Sequence, residues 1–170
     1  SQFCKVTRMK QANRYTAEGI ELHDPADFAA MRVAGKLCAE TLDMITEHVV
    51  PGVTTGELDR LCHDFITKRG AIPAPLMYKG FPKSICTSVN HVVCHGIPGE
   101  KPLREGDIVN IDVTFILDGW HGDSSRMYAV GEIKRAAQRL LDVTWEAMMR
   151  GIAEVKPGNT TGHIGYAIQN

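Results

Sequence analysis

Asp112 and Asp123 stand on either side of an Asp118-Gly119 pair, and the residues around them are patterned so that both acids can reach one place. From Ile108 to Leu117, Val109, Ile111, Val113 and Phe115 alternate with Asn110, Asp112 and Thr114, the period-two pattern of a half-buried strand. Asp-Gly between two such runs is a strong two-residue hairpin signal, so Trp120 to Val130 is expected to return antiparallel. With Leu117 facing Trp120, Asp112 lies opposite Ser125 and Asp123 is its diagonal neighbour on the same face, about 7–8 Å away at the backbone. Two carboxylates so placed repel each other. A divalent cation, or two ions about 3.5–4 Å apart, would keep both ionised. The spacing is equally compatible with one acid capping a turn and the other pairing with Arg126, and it does not decide between the two. Asn110, Thr114, His121 and Ser125 fall on the same face, a polar density that fits the floor of a cleft. Hard carboxylate oxygens beside an imidazole favour Mn, Fe(II), Co or Zn over a thiolate-selected ion.

His91 and His95 lie four apart in Ser88-Val-Asn-His-Val-Val-Cys-His-Gly-Ile-Pro98. The valines predict a strand over Val89–Cys94, not the helix of an H-E-x-x-H zinc motif, which is absent. His95 is the stronger candidate of the two, because Gly96 after it would admit a substrate backbone closely. On a strand, Cys94 and His95 would point to opposite faces, so no thiol and imidazole pair is expected and Cys94 should be buried.

The elements that must hold these groups are also legible. Asp24, Pro25 and Asp27 form a helix start, and Phe28, Met31, Ala34, Cys38, Leu42, Ile45 and Val49 recur at steps of three or four until Pro51-Gly52. Thr54 and Glu57 have capping-box spacing for a second helix carrying Leu58, Leu61, Cys62, Phe65 and Ile66, closed by Gly70. Residues 71–106 are rich in Pro and Gly, with short strands predicted at Ser84–Thr87 and Val89–Cys94. A third helix is predicted over about Lys134–Val155. The chain also repeats itself: the helix beginning Arg32-Val-Ala-Gly-Lys-Leu37 runs to Pro51-Gly-Val-Thr-Thr-Gly56, and the one beginning Arg135-Ala-Ala-Gln-Arg-Leu140 runs to Pro157-Gly-Asn-Thr-Thr-Gly162. The first copy continues for 74 residues to Val130 and the second for eight to Asn170, so the second reads as incomplete.

Composition bounds the rest. The 170 residues are 44% hydrophobic and 23% charged, a mix able to bury a core. With 19 Lys plus Arg against 20 Asp plus Glu, no field of one sign recruits nucleic acid or an anionic membrane. No apolar run approaches the roughly 20 residues of a membrane span. Lys5, Arg8, Lys10 and Arg14 make a basic arm without the apolar core of a secretory signal. Five cysteines, Cys4, Cys38, Cys62, Cys86 and Cys94, form no C-x-x-C pair and fit a reducing, cytoplasmic setting.

Four segments, in order, carry a resemblance. Tyr78-Lys-Gly-Phe-Pro-Lys-Ser-Ile-Cys86, Val93-Cys-His-Gly-Ile-Pro98, Gly106-Asp-Ile-Val-Asn-Ile-Asp-Val-Thr114 and His121-Gly-Asp-Ser-Ser125 resemble the type I methionine aminopeptidases, from about Ile20 onward. The resemblance implies an α+β pita-bread fold, an antiparallel sheet with covering helices in two related halves. Here residues 1–23 would be a basic arm and lead-in, 24–130 the first half, and 132–170 the start of an incomplete second half. It further implies a cytoplasmic monomer that removes the initiator methionine from nascent polypeptides when the next residue is small, using two divalent metal ions and working near the ribosome. Asp112 would bind one ion and Asp123 both. His95 would hydrogen-bond the scissile region without ligating. Asn110 and Thr114 would flank the amine, and Tyr78, Phe81 and Cys86 would line the pocket for the methionine side chain. Asn90 would serve a monovalent-cation site.

Departures from the family pattern are equally specific. Lys79 stands where bacterial members commonly have His, and Pro75 where Cys is common. The family's remaining ligands, one His and two Glu, belong to the second half and have no counterpart before Asn170. His163 aligns with Glu57 in the repeated turn and is not expected to replace them. On these grounds the 170-residue chain alone is expected to be inactive or impaired. Two other readings are a pita-bread peptidase specific for proline and a non-catalytic binding module on the same fold.

Overall fold

The structure, a computed structural model, describes residues 14–170. Lys5, Arg8, Lys10 and Cys4 lie outside them. Arg14 is described and binds Glu21 and Asp27 at the edge of the first helix.

Helix α1 spans Pro25–Ile45 and continues as a 3-10 turn over Thr46–His48. Its start is a reciprocal cap: Asp24 accepts from the Ala26 and Asp27 amides, and Asp27 accepts from the Asp24 amide. Ala34, Leu37, Cys38, Thr41, Leu42 and Ile45 are its buried face. Phe28 and Met31, expected on that stripe, are instead half exposed. Helix α2, Thr55–Thr67, begins with the Thr54 hydroxyl accepting from the Glu57 amide. The Glu57 carboxylate turns outward to Arg60, so half of the expected box forms.

Strands β1 (Ile72–Pro73), β2 (Cys86–Val89), β3 (Ile108–Leu117) and β4 (Trp120–Ala129) make one antiparallel sheet. β3 is its axis, with β4 along one edge and β2 and β1 end to end along the other. The β3–β4 register is the expected one, Leu117 facing Trp120 and Asp112 facing Ser125. Asp118 and Gly119 both have positive φ, 49° and 83°, as a type I′ hairpin demands.

Val109, Ile111, Val113 and Phe115 are fully buried against α1 and α2. Gly122 is required there: a Cβ on it would sit 2.9 Å from the Ala34 carbonyl oxygen and from the Phe115 ring. The Tyr128 hydroxyl donates to the Leu42 carbonyl at 2.7 Å, and Arg126 pairs with Asp43 at 2.8 Å. The helices therefore cover one face of the sheet and leave the other for the polar groups.

Two strand expectations need correction. The strand expected at Ser84–Thr87 is instead Cys86–Val89, because the Ser84 and Ile85 amides donate to the buried Asp59 carboxylate and not to β3. Val89–Cys94 is not a strand: Asn90 takes a left-handed φ of 54° and turns the chain away from β3. Helix α3 spans Arg135–Ala153, inside the expected range, and helix α4 spans Thr161–Gln169. The repeated turn recurs in three dimensions, with Gly52 and Gly158 at φ 95° and 90° and Thr54 and Thr160 as N-caps.

Candidate functional site

Opposite the core, the pleat of β2, β3 and β4 puts chemically active side chains in rows. Cys86, Asp112 and Ser125 form one row, Ser88, Asn110 and Met127 the next, and Thr114 faces Asp123 on the other side. The Thr114 hydroxyl donates to Asp123 Oδ1 at 3.1 Å, and Asn110 Nδ2 lies 3.4 Å from Ser125 Oγ. His121 lies on the same face, opposite Ile116 near the hairpin tip. Arg126 points to the helical side and is held by Asp43, so it does not neutralise either acid.

Burial raises the Asp112 carboxyl above the usual carboxylate range, and the Asp123 charge raises it further, while His95 works in the opposite sense. Cys86 beside it is pushed up to about 11, chiefly by burial and then by Asp112. Hard oxygen donors from two facing strands, already repelling each other, fit one side of a divalent-cation site. Among the described residues no three His, Cys, Asp or Glu converge closely enough to complete one.

The loops around β2 are held in sparsely populated backbone. Of the five non-glycine residues with left-handed φ among those described, Met77, Lys79, Asn90 and His95 flank this strand. Such backbone persists only where surrounding contacts impose it, and it gathers at functional sites. For His95 the contact is visible. A Cβ on Gly96 would lie 2.0 Å from the Thr87 carbonyl oxygen, the Thr87 amide donates to the Gly96 carbonyl, and the Gly96 amide donates to Ser88 Oγ. Gly96 thus admits the protein's own β2 backbone, where a substrate backbone was expected. His95, exposed and left-handed at φ 57°, stands immediately before this anchored glycine. Cys94 is exposed and not buried, because the segment is a loop in which the alternation of a strand does not apply.

Tyr78 stands 66% exposed with the Lys79 ammonium 5.4 Å from its ring centroid, Phe81 is partly buried, and Cys86 is buried. Asn90 is engaged structurally: its Nδ2 donates to Asp107 at 2.8 Å and its Oδ1 accepts from the Ile108 amide. Sequence reasoning missed Asp59 and Ser88, which anchor the two loops. Asp59 had a signal, since it sits between Leu58 and Cys62 on the apolar side of an amphipathic helix. Ser88 had none, because its role depends on a loop folding back from eight residues away.

Residues 29–170 match the model of metallopeptidase family M24. The chain belongs to that family. Methionine aminopeptidase of Rickettsia prowazekii (strain Madrid E) is 66% identical over 151 residues, 89% of this chain and 58% of that protein. Its crystal structure superposes with a TM-score of 0.87 at 67% identity, covering 88% of this chain and 60% of the other. The Escherichia coli (strain K12) methionine aminopeptidase is 52% identical over 152 residues, 88% of this chain and 58% of its own length. An Xaa-Pro dipeptidase from Bacillus anthracis shares the fold at a TM-score of 0.75 and 22% identity. The architecture of this M24 chain is thus the pita-bread fold, and the chain spans under two thirds of the length of the relatives it matches.

Proposed function

We propose that this chain is the metal-binding first part of a methionine aminopeptidase that removes the initiator methionine from nascent polypeptides in the cytoplasm. The observation that supports it most is the single sheet face shared by Asp112 and Asp123, in a chain two thirds identical to a methionine aminopeptidase. Residues 24–130 would form the first half of the fold and 132–170 open the second. The 22% identity to the proline-specific peptidase supports a common fold and nothing finer.

Asp112 and Asp123 would hold two divalent ions, Co, Mn, Fe(II) or Zn, with Asp123 shared between them and oriented by Thr114. Such ions, when bound, lower the pKa of an attacking water and polarise the scissile carbonyl. His95 donates to or accepts from the scissile amide. Asn110 and Thr114 border the substrate amine, and Tyr78, Phe81 and Cys86 contact the thioether side chain. Two carboxylates leave most of each coordination shell open, so the 170-residue chain binds these ions weakly and turns over slowly. His163 is committed to the start of α4 and adds no ligand to this face.

The test is hydrolysis of a Met-Ala-Ser peptide and of an Xaa-Pro peptide with added Mn or Co. It compares the 170-residue chain with a chimera carrying the remaining C-terminal part of the Rickettsia prowazekii relative. The chimera is expected to release methionine, to spare the Xaa-Pro peptide, and to lose more than about 100-fold on Asp123→Asn. Cleavage of the Xaa-Pro peptide instead, or activity indifferent to Asp123→Asn, would overturn the reading.

A further inference from the structure

We infer that His163 makes the docking of α4 onto α3 sensitive to pH, through a helix cap that holds only while its imidazole is neutral. The Thr160 amide donates to His163 Nδ1 at 3.0 Å, and the Thr160 hydroxyl lies 3.0 Å from the same nitrogen. A backbone N–H can only donate, so Nδ1 must carry its lone pair and the proton must sit on Nε2. A second proton on the ring removes the acceptor and puts a positive charge in the first turn of α4, where the helix dipole opposes it. Both effects push the same way.

The repeat supplies an internal comparison. At the equivalent place, the helix begun by Thr54 carries Glu57, an anion suited to a helix start across the neutral range. The second copy has an imidazole there, a group that gains a positive charge on protonation. Helix α4 is also the element that can least spare its cap. It is nine residues long, below the length at which helices persist unaided, and it packs on α3 where Ile164 and Ile168 meet Gly151. A Cβ on Gly151 would come within 2.8 Å of Ile168.

The charged groups around the imidazole come from α3 and the turn that follows it, since α4 carries no Asp, Glu, Lys or Arg. Arg150 of α3 and Glu154 just after it line with His163, Thr160, Tyr166 and Asn170 a cleft of about 660 Å³. Arg150 is paired with Glu146 and points an N–H at the Asn170 carbonyl, and Glu154 is shared between Asn159 and Lys156. Glu154 therefore already has partners, while Arg150 lies in the same cleft as the new charge. Acid thus frees the start of α4 and loosens it from α3, leaving the sheet and its polar face untouched.

Amide exchange followed by NMR on the intact 170-residue chain tests this, comparing amides of α4 with those of α3 and β3 at pH 7.5 and 5.5 after correction for intrinsic rates. Protection in α4 is expected to fall about fivefold relative to α3 in the parent chain, the effect of losing one cap. It is expected to stay level in His163→Gln, which keeps an acceptor without titrating, and in His163→Glu. Unchanged α4 protection in the parent while the His163 ring titrates would overturn the inference. An equal loss in His163→Gln would do so as well, since the acid effect would then arise elsewhere. Neither result bears on peptide hydrolysis, so the inference stands or falls apart from the proposed function.

Discussion

The Thr114 hydroxyl donates to the Asp123 carboxylate directly across the β3–β4 ladder, at 3.1 Å. It occupies one lone pair of Oδ1 and restrains the carboxylate's rotation, which on the proposed function would orient Asp123 as a metal ligand. Groups that orient a ligand in this way typically contribute about 10–100-fold to metal affinity. Thr114→Val keeps the branched shape on the strand and deletes the donor. Mn titration calorimetry on the active chimera should show at least about tenfold weaker binding, with the thermal midpoint of the metal-free chain little changed. Equal affinity in the two proteins would remove Thr114 from this role.

Gly96 offers a sharper packing test. Alanine there would place its Cβ 2.0 Å from the Thr87 carbonyl oxygen, in contact with backbone that cannot swing aside. Gly96→Ala is expected to cost more than about 2 kcal/mol in urea unfolding. The loss should be smaller if β2 and the loop separate locally, in which case exchange of the Thr87 amide, whose acceptor is the Gly96 carbonyl, accelerates first.

Thiol chemistry should sort the cysteines by environment. Burial pushes Cys38 up to about 11 and Cys62 up to about 12, and burial with Asp112 pushes Cys86 up to about 11. Each two-unit rise lowers the reactive thiolate about 100-fold. Iodoacetamide at pH 8 followed by peptide mass spectrometry should therefore modify exposed Cys94 well before these three. Early labelling of Cys86 would mean that the sheet face around Asp112 opens readily.

Asn90 and Asp107 give a pH dependence with a definite sign. The hydrogen bond from Asn90 holds the Asp107 carboxyl below the usual range, helped by the Arg104 amide. A depressed folded-state pKa means stability that is present above the unfolded value and lost as pH falls through the folded one. Asn90→Ala removes that bond, strands the Ile108 amide and leaves alanine at φ 54°. It should cost about 1–3 kcal/mol at pH 7 and flatten the acid limb of the stability curve below about pH 4. Asn90→Gly, free of the backbone strain, should recover part of the neutral-pH loss and none of the acid slope.

Most of the framework was legible because it is local. The alternation over Ile108–Leu117, the Asp-Gly turn and the resulting face shared by Asp112 and Asp123 follow from a period of two and a two-residue loop. The caps at Asp24 and Thr54 follow from side chains bonding amides two or three residues away. The repeated P-G-x-T-T-G turn is local in the same way and forms twice. What local pattern could not carry was any feature whose cause lies far along the chain. Valine content spoke for a strand over Val89–Cys94, but Asn90 is pulled into a left-handed turn by Asp107 and Ile108, and the loop after it is docked by Ser88 and Thr87. That is why Cys94 came out exposed and why Gly96 serves the protein's own backbone.

The sequence by itself determined which residues face each other across the hairpin, because strand register is set by adjacent residues and the turn between them. Only the tertiary structure decided that the Arg126 side chain goes to Asp43 and not to either of the two acids. It also decided that the loop carrying His95 is pressed against β2, with Gly96 packed on the Thr87 backbone. Both outcomes depend on segments distant in sequence competing for the same surface, and the winner is set by packing of α1 on one face of the sheet and of a strained loop on its edge.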